Sequence, residues 1–414
     1  MAGPDGRWRA RVGKWLTGFG TSLLGDQVYF LALAWAAVEV SGPATVGLIL
    51  AAGSVPRLVF LLVGGALADR MSPKRLIILS DTGRTLTLLA LAALLTVGSL
   101  GPLPLGLVAL VFGILDGLFL PAVGALPPRL APVHLMARIQ AARTVIQRLV
   151  VLVGAPIAGW LVANRGLASA FWLSAALFAV SVLALALVSL RPGPAEAADE
   201  PGATGRRTSM VADIAAGLRS VRSHPVLPSL LAVVALTDLG FSGPLTAGLP
   251  ILAQHNGWGP AGAGYVLGGF GLGAAATGLT LAVVRQIPRA GLVSYLSLAW
   301  MGVAVVLVGM APSAGLAIAA AVLLGFGSGV FGTLMNALLI ITAPPAELGR
   351  VMSVLSLASY GGAPISFAVT GLLAGLFGPQ LPFYVGGGVV LLAGIAGLTR
   401  HRLRSLELAT ADTG

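Results

Sequence analysis

Twelve apolar runs, each about 20 residues long, are the feature that most constrains this chain. A helix of that length crosses the roughly 30 Å hydrocarbon core of a bilayer. Because backbone groups in lipid must hydrogen-bond within their own segment, and the alternating pattern of barrel strands is absent, the runs predict helices. The predicted fold class is an all-α membrane protein with twelve transmembrane helices. The runs lie near residues 15–38, 44–67, 76–100, 105–126, 145–163, 167–190, 226–252, 262–284, 290–310, 314–341, 351–376 and 382–398.

The composition agrees with a surface that faces lipid. Only 9% of the 414 residues are charged and 57% are hydrophobic, with a mean hydropathy of +0.95, whereas soluble domains carry about 25% charged residues. The chain has no cysteine, which excludes disulfides and thiolate metal sites. The basic N-terminus and first apolar run imitate a signal peptide, but another span follows at once, so we expect the first helix to be retained.

A polar segment divides the twelve spans into six and six. We predict an N-terminal half at 1–190, a cytoplasmic linker at 191–225, a C-terminal half at 226–400 and a cytoplasmic tail at 401–414. The first part of the linker is rich in Pro, Ala, Glu and Gly, which is typical of flexible chain. Its second part, 209–224, has one apolar face and predicts a short amphipathic helix at the lipid headgroups.

Basic residues mark one side of the predicted membrane. They precede the first span, occupy every second loop and follow the last span, whereas the opposite loops hold Arg165 alone. Because basic loops stay in the cytoplasm, both termini are predicted to be cytoplasmic. The net charge of +11 is then topological and requires no nucleic acid. The Arg-, Ala- and Gly-rich usage is typical of a bacterial gene, so we expect a multi-pass protein of the bacterial plasma (inner) membrane.

The two sets of six spans repeat each other. Asp26 and Asp238, in the first and seventh spans, are 212 residues apart, and the loop residues Pro132 and Pro344 share that spacing. The tetrapeptide Gly-Ala-Pro-Ile occurs in both the fifth and the eleventh spans. These coincidences, in matching positions, predict two pseudo-symmetric six-helix halves.

The loop between the second and third spans carries a family resemblance. Residues 65–75 read Gly-Ala-Leu-Ala-Asp-Arg-Met-Ser-Pro-Lys-Arg, which resembles the major facilitator superfamily signature Gly-x-Leu-Ala-Asp-Arg-x-Gly-Arg-Lys-Arg. Pro56-Arg57, Asp81-x-x-Arg84 and Phe119-Leu-Pro-Ala are similar to the branch of bacterial drug and siderophore exporters, which includes enterobactin-exporter-like and macrolide-efflux-like proteins. The resemblance spans essentially the whole chain. It implies the major facilitator fold and secondary transport by alternating access.

The resemblance also implies a cytoplasmic latch, in which an acid faces the positive N-terminal end of the eleventh helix and closes the inner side. The alternative is a solvated loop that only sets topology. Two departures from the signature are Ser72 for glycine and Pro73 for arginine. In the family that arginine reaches an acid on the fourth helix, here Asp116, so Arg70, Arg84 or Arg148 would have to take its role. The predicted latch residues are Gly65, Asp69, Arg70, Lys74 and Arg75, extended one to two turns inward by Asp81, Arg84, Asp116 and Arg148.

Charged residues inside a bilayer usually face a cavity or a partner. Asp26 and Arg57 each lie about twelve residues into their spans, about 18 Å deep, so a pair between them is geometrically possible. One interpretation is a carboxylate that exchanges a proton beside Arg57, and the other is a static ion pair that fixes helix packing. Asp238 lies at the same depth without an obvious basic neighbour, either as a site for a proton or a cationic substrate or as a cap at a helix break. We predict Asp26, Arg57 and Asp238 as proton-coupling residues.

Two further groups of residues are candidates on weaker grounds. The glycines and prolines of the fifth and eleventh helices are predicted to allow close packing and bending: Gly154, Pro156, Gly159, Gly362 and Pro364. The motif in helix five, Gly-Ala-Pro-Ile-Ala-Gly, is a partial match to the Gly-Pro-x-x-Gly-Gly of antiporters in the superfamily. Polar and aromatic side chains are predicted to line a substrate cavity: Tyr29, Trp35, Phe241 and Asn336.

The leading hypothesis is a proton-coupled exporter of amphiphilic small molecules such as drugs or siderophores. Its expected partners are a small-molecule substrate, protons and membrane lipids, without nucleic acid, and it is expected to be a monomer. No enzyme constellation, metal site or cofactor motif is recognised in the sequence. The alternatives are a nutrient or metabolite symporter or uniporter, and a lipid-handling or solute-sensing membrane protein that does not transport.

Overall fold

The computed structural model describes residues 6–98, 101–189, 219, 221–284, 287, 289–344, 347–404 and 406, with only the backbone of residues 6, 7, 62–70, 133, 282, 350, 402 and 403. Within these residues the chain is helical and has no strand. Twelve of the described helices are long and apolar enough to cross a membrane. The predicted fold class is therefore confirmed. Of the predicted linker, 191–225, the structure describes residues 219 and 221–225, so most of the predicted amphipathic helix at 209–224 lies outside the described residues, as does most of the tail.

The first half contains six helices. Two short 3₁₀ turns, Pro127–Arg129 and Val133–Leu135, connect the fourth helix to the fifth. A proline lies in the first turn of α3 and α4, where its missing N–H leaves no hydrogen bond unmade. The helices are α1 (Gly6–Val40), α2 (Pro43–Arg70), α3 (Pro73–Val97), α4 (Pro102–Ala125), α5 (Met136–Arg165) and α6 (Leu167–Ala186).

The second half repeats this arrangement, with two interruptions. α7 (Leu227–His255) contains a π-helical turn at Pro244–Gly248. α11 consists of two segments, Leu348–Tyr360 and Ala363–Phe377, separated at Gly361 and Gly362. The remaining helices are α8 (Gly259–Val283), α9 (Ala290–Met310), α10 (Ala314–Thr342), α12 (Leu381–Thr399) and the short α13 (His401–Arg404).

Matching helix pairs pack tightly in both halves because glycines let their backbones approach. In the first half, α2 packs on α4, where a Cβ added to Gly113 would overlap the carbonyl oxygen of Gly53. In the second half, α8 packs on α10, where a Cβ on Gly325 would overlap the carbonyl oxygen of Phe270. Small residues that permit close approach are the usual device of membrane helix packing.

The two halves contact each other at one of the two ends of the helix bundle. We call the end where α1 begins and α12 ends the terminus side, and the opposite end the far side. On the far side, α2 contacts α11, and a Cβ on Gly371 would lie 2.6 Å from the Pro43 carbonyl oxygen. There α5 also contacts α8, with Gly159 against the carbonyl of Pro260. These glycine contacts hold the far side closed.

Towards the terminus side the halves separate. The segments Leu227–Gly243 and Leu348–Tyr360 pack against each other and make no extended contact with the described part of the first half. Tyr360 lies at the end of this segment, faces the first half and is 43% exposed. In the part of the chain that the structure describes, the bundle is therefore open on the terminus side.

The repeated Gly-Ala-Pro-Ile motif behaves differently in the two halves. α5 continues as an unbroken helix through Pro156, and Gly154 and Gly159 contact neighbouring helices. In α11 the motif coincides with the break, and Pro364 lies in the first turn of the segment Ala363–Phe377. The prediction of bending stays a prediction for α5, whereas the break in α11 is a feature of this structure.

Candidate functional site

A cavity of about 230 Å³ lies at the centre of the bundle, between α1, α2 and α4 of the first half and α7, α8 and α11 of the second. Its wall is mainly apolar and aromatic, and Arg57 and Asp116 are the charged side chains among its described lining. Aromatic lining residues come from both halves: Tyr29, Phe30, Phe112, Tyr360 and Phe367. A site of this kind lets a substrate contact both halves at once.

Arg84 organises a buried charge cluster behind the cavity. Its side chain is 0% exposed, and its Nη2 donates to Asp116 Oδ1 at 2.7 Å. Its Nη1 lies 3.4 Å from Asp81 Oδ1 and 3.5 Å from Asp26 Oδ1. One arginine of α3 thus joins carboxylates of α1, α3 and α4.

The surroundings of Arg84 fix its position. The hydroxyls of Ser22 and Ser181 donate to the two oxygens of Asp81, at 3.1 and 2.6 Å. The Arg84 guanidinium also lies 4.5 Å from the ring centroid of Phe119 and 5.3 Å from that of Phe178. Both contacts favour a cation at this point.

Arg57 links this cluster to the second half. Its Nε lies 2.6 Å from Asp116 Oδ2, so two arginines share the Asp116 carboxylate. Its guanidinium lies 5.9 Å from the ring centroid of Phe30 and 5.5 Å from that of Tyr360 on α11. Arg57 therefore contacts both halves across the cavity.

The cluster has an excess of negative charge when every group is ionised, because Asp26, Asp81 and Asp116 face Arg57 and Arg84. Asp26 is the least satisfied of the acids. It is 8% exposed, and its Oδ1 has no hydrogen-bond partner among the described residues. A buried charge without compensation is costly, so Asp26 is the position where a proton or another cation would lower the free energy most.

Asp238 occupies the repeat-related position on α7. Its Oδ2 is buried without a hydrogen-bond partner in the described part of the chain. A Cβ added to Gly362 would lie 3.0 Å from this oxygen, so the carboxylate faces the break in α11. Among the described residues no basic side chain forms an ion pair with Asp238, in line with the expectation that it lacks an obvious basic neighbour.

The expected Asp26–Arg57 pair is also not what the structure shows. Asp26 lies beside Arg84, and Arg57 pairs with Asp116. Asp26 and Arg57 lie near the middle of α1 and α2, but position along a helix does not specify which side of the helix faces which neighbour. Four helices place arginines and acids near one another, so the pairing depends on helix rotation.

Asp81, Arg84 and Asp116 were predicted to extend the loop latch, and the structure places them elsewhere. Because α3 begins at Pro73, Arg84 is eleven residues inside, about 16 Å deep. These residues form the interior cluster with Asp26. Pro73 stands where the family signature has the arginine that reaches the acid on the fourth helix. In this structure Arg84 contacts that acid, Asp116, and Arg57 is its second partner.

The remaining latch candidates divide into three groups. The side chains of Gly65, Asp69 and Arg70 lie outside the described ones, so their role stays a prediction. Lys74 Nζ donates to the carbonyls of Ala186 and Val188 at the end of α6, at 2.9 and 2.7 Å. Arg75 and Arg148 are exposed, and Arg148 does not take part in the cluster.

Among the predicted cavity residues, Tyr29 lines the cavity and stacks on Phe112, with ring centroids 3.6 Å apart. Trp35 is instead buried and donates its indole N–H to Glu39 at 2.8 Å. Phe241 packs against Phe270, and Asn336 is exposed on α10. Four aromatic residues that line the cavity were not among the predicted ones: Phe30, Phe112, Tyr360 and Phe367. Only the Gly-Gly break beside Tyr360 could have drawn attention to one of them.

A comparison with known protein families decides the family. The sequence profile of the Major Facilitator Superfamily matches residues 15–292 and 230–409. The chain belongs to the Major Facilitator Superfamily. It is thus a multi-pass membrane protein of a family that transports small molecules.

Characterised relatives of this superfamily member include two bacterial exporters. It is 26% identical over 399 residues to the multidrug efflux pump Tap of Mycolicibacterium fortuitum, covering 94% of this chain and 95% of the relative. It is 27% identical over 365 residues to the enterobactin exporter EntS of Escherichia coli, covering 85% and 84%.

Solved structures with the same fold include the nucleoside transporter NupG. That structure aligns with a TM-score of 0.70 at 14% identity, over 94% of this chain and 98% of the other. A bacterial homologue of the lysosomal transporter Spinster, in an inward-facing and occupied conformation, aligns with a TM-score of 0.73 at 12% identity, over 95% and 96%. At these identities the likeness concerns the fold of this superfamily member.

Proposed function

We propose that this Major Facilitator Superfamily protein is a proton-coupled exporter of amphiphilic small molecules that works by alternating access. The observation that carries the proposal is the central cavity, which both halves line and which is open on one side while the opposite side is closed. A substrate bound there contacts both halves. Rocking the halves would then move the opening from one membrane face to the other.

The lining of the cavity supports the substrate class. Aromatic and aliphatic side chains give contact without strict hydrogen-bond geometry, and Arg57 and Asp116 supply a polar end. Cavities of this type take molecules with a large apolar body and a small polar part. The relatives named for multidrug efflux and for enterobactin export support the outward direction.

Asp26 is our candidate for the proton-carrying group. It has the least satisfied carboxylate in a cluster with one negative charge in excess, and it lies one position before Gln27, which lines the cavity. A proton on Asp26 would neutralise the cluster, and a cationic group of a substrate nearby would do the same. Competition between these two events is the physical basis of exchange.

The sidedness of the bundle belongs to the same proposal. The basic terminus side would be cytoplasmic, so the described state would face inward, and the linker 191–225 and the tail would be cytoplasmic as well. A reporter fused after Pro201 should then be cytoplasmic and one at Asn256 external. The loop latch at Asp69 would close this side in the outward-facing state, and a monomer surrounded by lipid would be the working unit.

The direct test uses proteoliposomes with a trapped pH indicator. Addition of a transported compound, screened across drugs, siderophores and sugars, should move protons against the compound only when the protein is present. Uptake of the compound together with protons would establish a symporter and contradict export. A protein that binds compounds but moves none of them would contradict transport.

A further inference from the structure

Arg57 occupies a position from which it can change partners. It lies ten residues from Gly47, about 15 Å along α2, and Gly47 is where α2 contacts α11 on the closed far side. Its side chain is 30% exposed to the cavity. Rotation of the halves about the far-side contact would therefore move Arg57 relative to the second half.

Asp116, the present partner of Arg57, also contacts a second arginine, Arg84. Asp116 is held at Oδ2 by Arg57 and at Oδ1 by Arg84, at 2.6 and 2.7 Å. If Arg57 moved away, Asp116 would keep a charge-assisted hydrogen bond from a fully buried arginine. After the departure of Arg57, Asp116 would therefore keep its Arg84 bond at Oδ1, whereas its Oδ2 makes no hydrogen bond among the described residues even now.

Asp238 presents the opposite situation. Its Oδ2 is buried and has no hydrogen-bond partner among the described residues. It faces Gly362, two positions after Tyr360, over whose ring the Arg57 guanidinium lies. An unpaired carboxylate of the second half and a partly exposed arginine of the first therefore lie near the same break in α11.

We propose that Arg57 is a positioning residue that passes from Asp116 to Asp238 when the terminus side closes, and that the new ion pair holds the two halves together. The inference rests on the alternation in the proposed function, and it adds a contact within the membrane to the predicted loop latch. When the terminus side is open, Asp238 has no ion-pair partner, and when the terminus side closes, Asp238 gains Arg57 as its partner. The pair therefore favours closure of the terminus side.

The test measures how often the far side opens. Leu50 lines the cavity, is 4% exposed and lies beneath the far-side contact. The chain has no natural cysteine, so Leu50→Cys introduces a single thiol. A membrane-impermeant maleimide added outside intact cells should label it at a rate proportional to the population with the terminus side closed.

The expected shifts have opposite signs for the two acids. Asp238→Asn removes the closing pair and should slow labelling about tenfold. Asp116→Asn releases Arg57 towards Asp238 and should speed labelling by a similar factor. In an Arg57→Gln background the effect of Asp238→Asn should disappear. Glu39→Gln, which removes a carboxylate of α1 that bonds to Trp35 and lies outside the cluster, is the control and should change the rate less than twofold.

An unchanged labelling rate in Asp238→Asn, or an undiminished effect in the Arg57→Gln background, would overturn the proposal. Because the carboxylate oxygen of Asp238 makes no hydrogen bond, Asp238→Asn should fold normally, and size-exclusion chromatography verifies this. Labelling needs neither substrate nor a pH gradient. If the labelling rates shift as predicted but the protein shows no proton-driven export, the proposed proton coupling is wrong and the change of partners by Arg57 stands. If export is proton-driven but the labelling rates do not shift, the change of partners by Arg57 is wrong.

Discussion

The two halves share a fold and differ in what they bury. In the first half, five charged groups on α1 to α4 form one connected cluster around Arg84. In the second half, α8, α9, α10 and α12 carry no Asp, Glu, Lys or Arg within their described bounds, and Asp238 stands without an ion pair. The repeat has kept the acid at the 212-residue spacing and has not kept its partners.

Because the two halves bury different charged groups, they are expected to respond to different events during transport. A connected cluster can shift charge internally when one member takes up a proton, because each remaining group still has a partner. A single acid can only be paired or unpaired. The first half is therefore suited to respond to protonation, and the second half is suited to respond to the position of the first.

The largest effect in this comparison is expected for Arg84→Gln. It would leave three carboxylates around a neutral side chain, and breaking buried pairs of this kind costs about 3–5 kcal/mol. We expect a large loss of thermal stability and of folded protein in detergent, measured by unfolding monitored with tryptophan fluorescence. Asp238→Asn is the control from the second half and should unfold at a temperature close to that of the wild type.

Equal thermal stability of Arg84→Gln and Asp238→Asn would remove the distinction between the halves. Partial recovery is expected when Arg84→Gln is combined with Asp26→Asn, because one of the uncompensated charges is then absent.

The next effect concerns Asp26→Asn, which imitates a permanently protonated acid. Arg84 keeps Asp81 and Asp116, so the stability should change by less than about 1 kcal/mol. Export driven by a pH gradient should fall at least about tenfold, whereas counterflow exchange of substrate should continue. Flux assays with and without a gradient in the same proteoliposomes measure both quantities.

A static role for Asp26 makes a different prediction. If the acid only fixes packing, Asp26→Asn should lose stability, and adding Arg57→Gln should restore it. The structure predicts no such rescue, since Arg57 pairs with Asp116. Full gradient-driven export by a stable Asp26→Asn variant would direct attention to Asp238 instead.

The last comparison concerns two glycines of the repeated motif, for which only packing and no transport step is expected to change. A Cβ on Gly154 would lie 2.7 Å from the Cβ of Gln27, so the backbones of α5 and α1 must separate. A Cβ on Gly362 would lie 3.0 Å from the end of the Asp238 side chain, which can turn away. We expect Gly154→Ala to cost about 1–3 kcal/mol and Gly362→Ala less than about 1 kcal/mol. Thermal unfolding of the two variants in parallel tests the order, and a larger loss at Gly362 would contradict it.

The number and approximate ends of the spans could be predicted because length and hydropathy determine them directly. Counting residues at about 1.5 Å each also placed Asp26 and Arg57 well inside their spans, and both lie near the middle of α1 and α2. The same counting went wrong for Arg84, because α3 begins three residues earlier than the apolar run at Leu76 indicated. A three-residue error at the start of a helix moves a charge by almost a turn.

Lateral neighbours could not be predicted in the same way. The partner of Arg57 depends on the rotation of α2 against α4, which glycine contacts between Gly53 and Gly113 set in three dimensions. Trp35 and Tyr29 are both aromatic residues of α1, yet Tyr29 faces the cavity and Trp35 does not. Residue type alone carries no information about which side of a helix meets a cavity.

The central claim is that the far-side contact opens and closes during transport, and a disulfide tests it most directly. A Cβ on Gly375 would lie 3.8 Å from the Cβ of Ala44, within the range of natural disulfides. In the Ala44→Cys, Gly375→Cys variant, oxidation should lock the far side closed and abolish export in proteoliposomes, and reduction should restore it. Either single-cysteine variant should be insensitive to the oxidant. Unimpaired export by fully cross-linked protein would contradict the account.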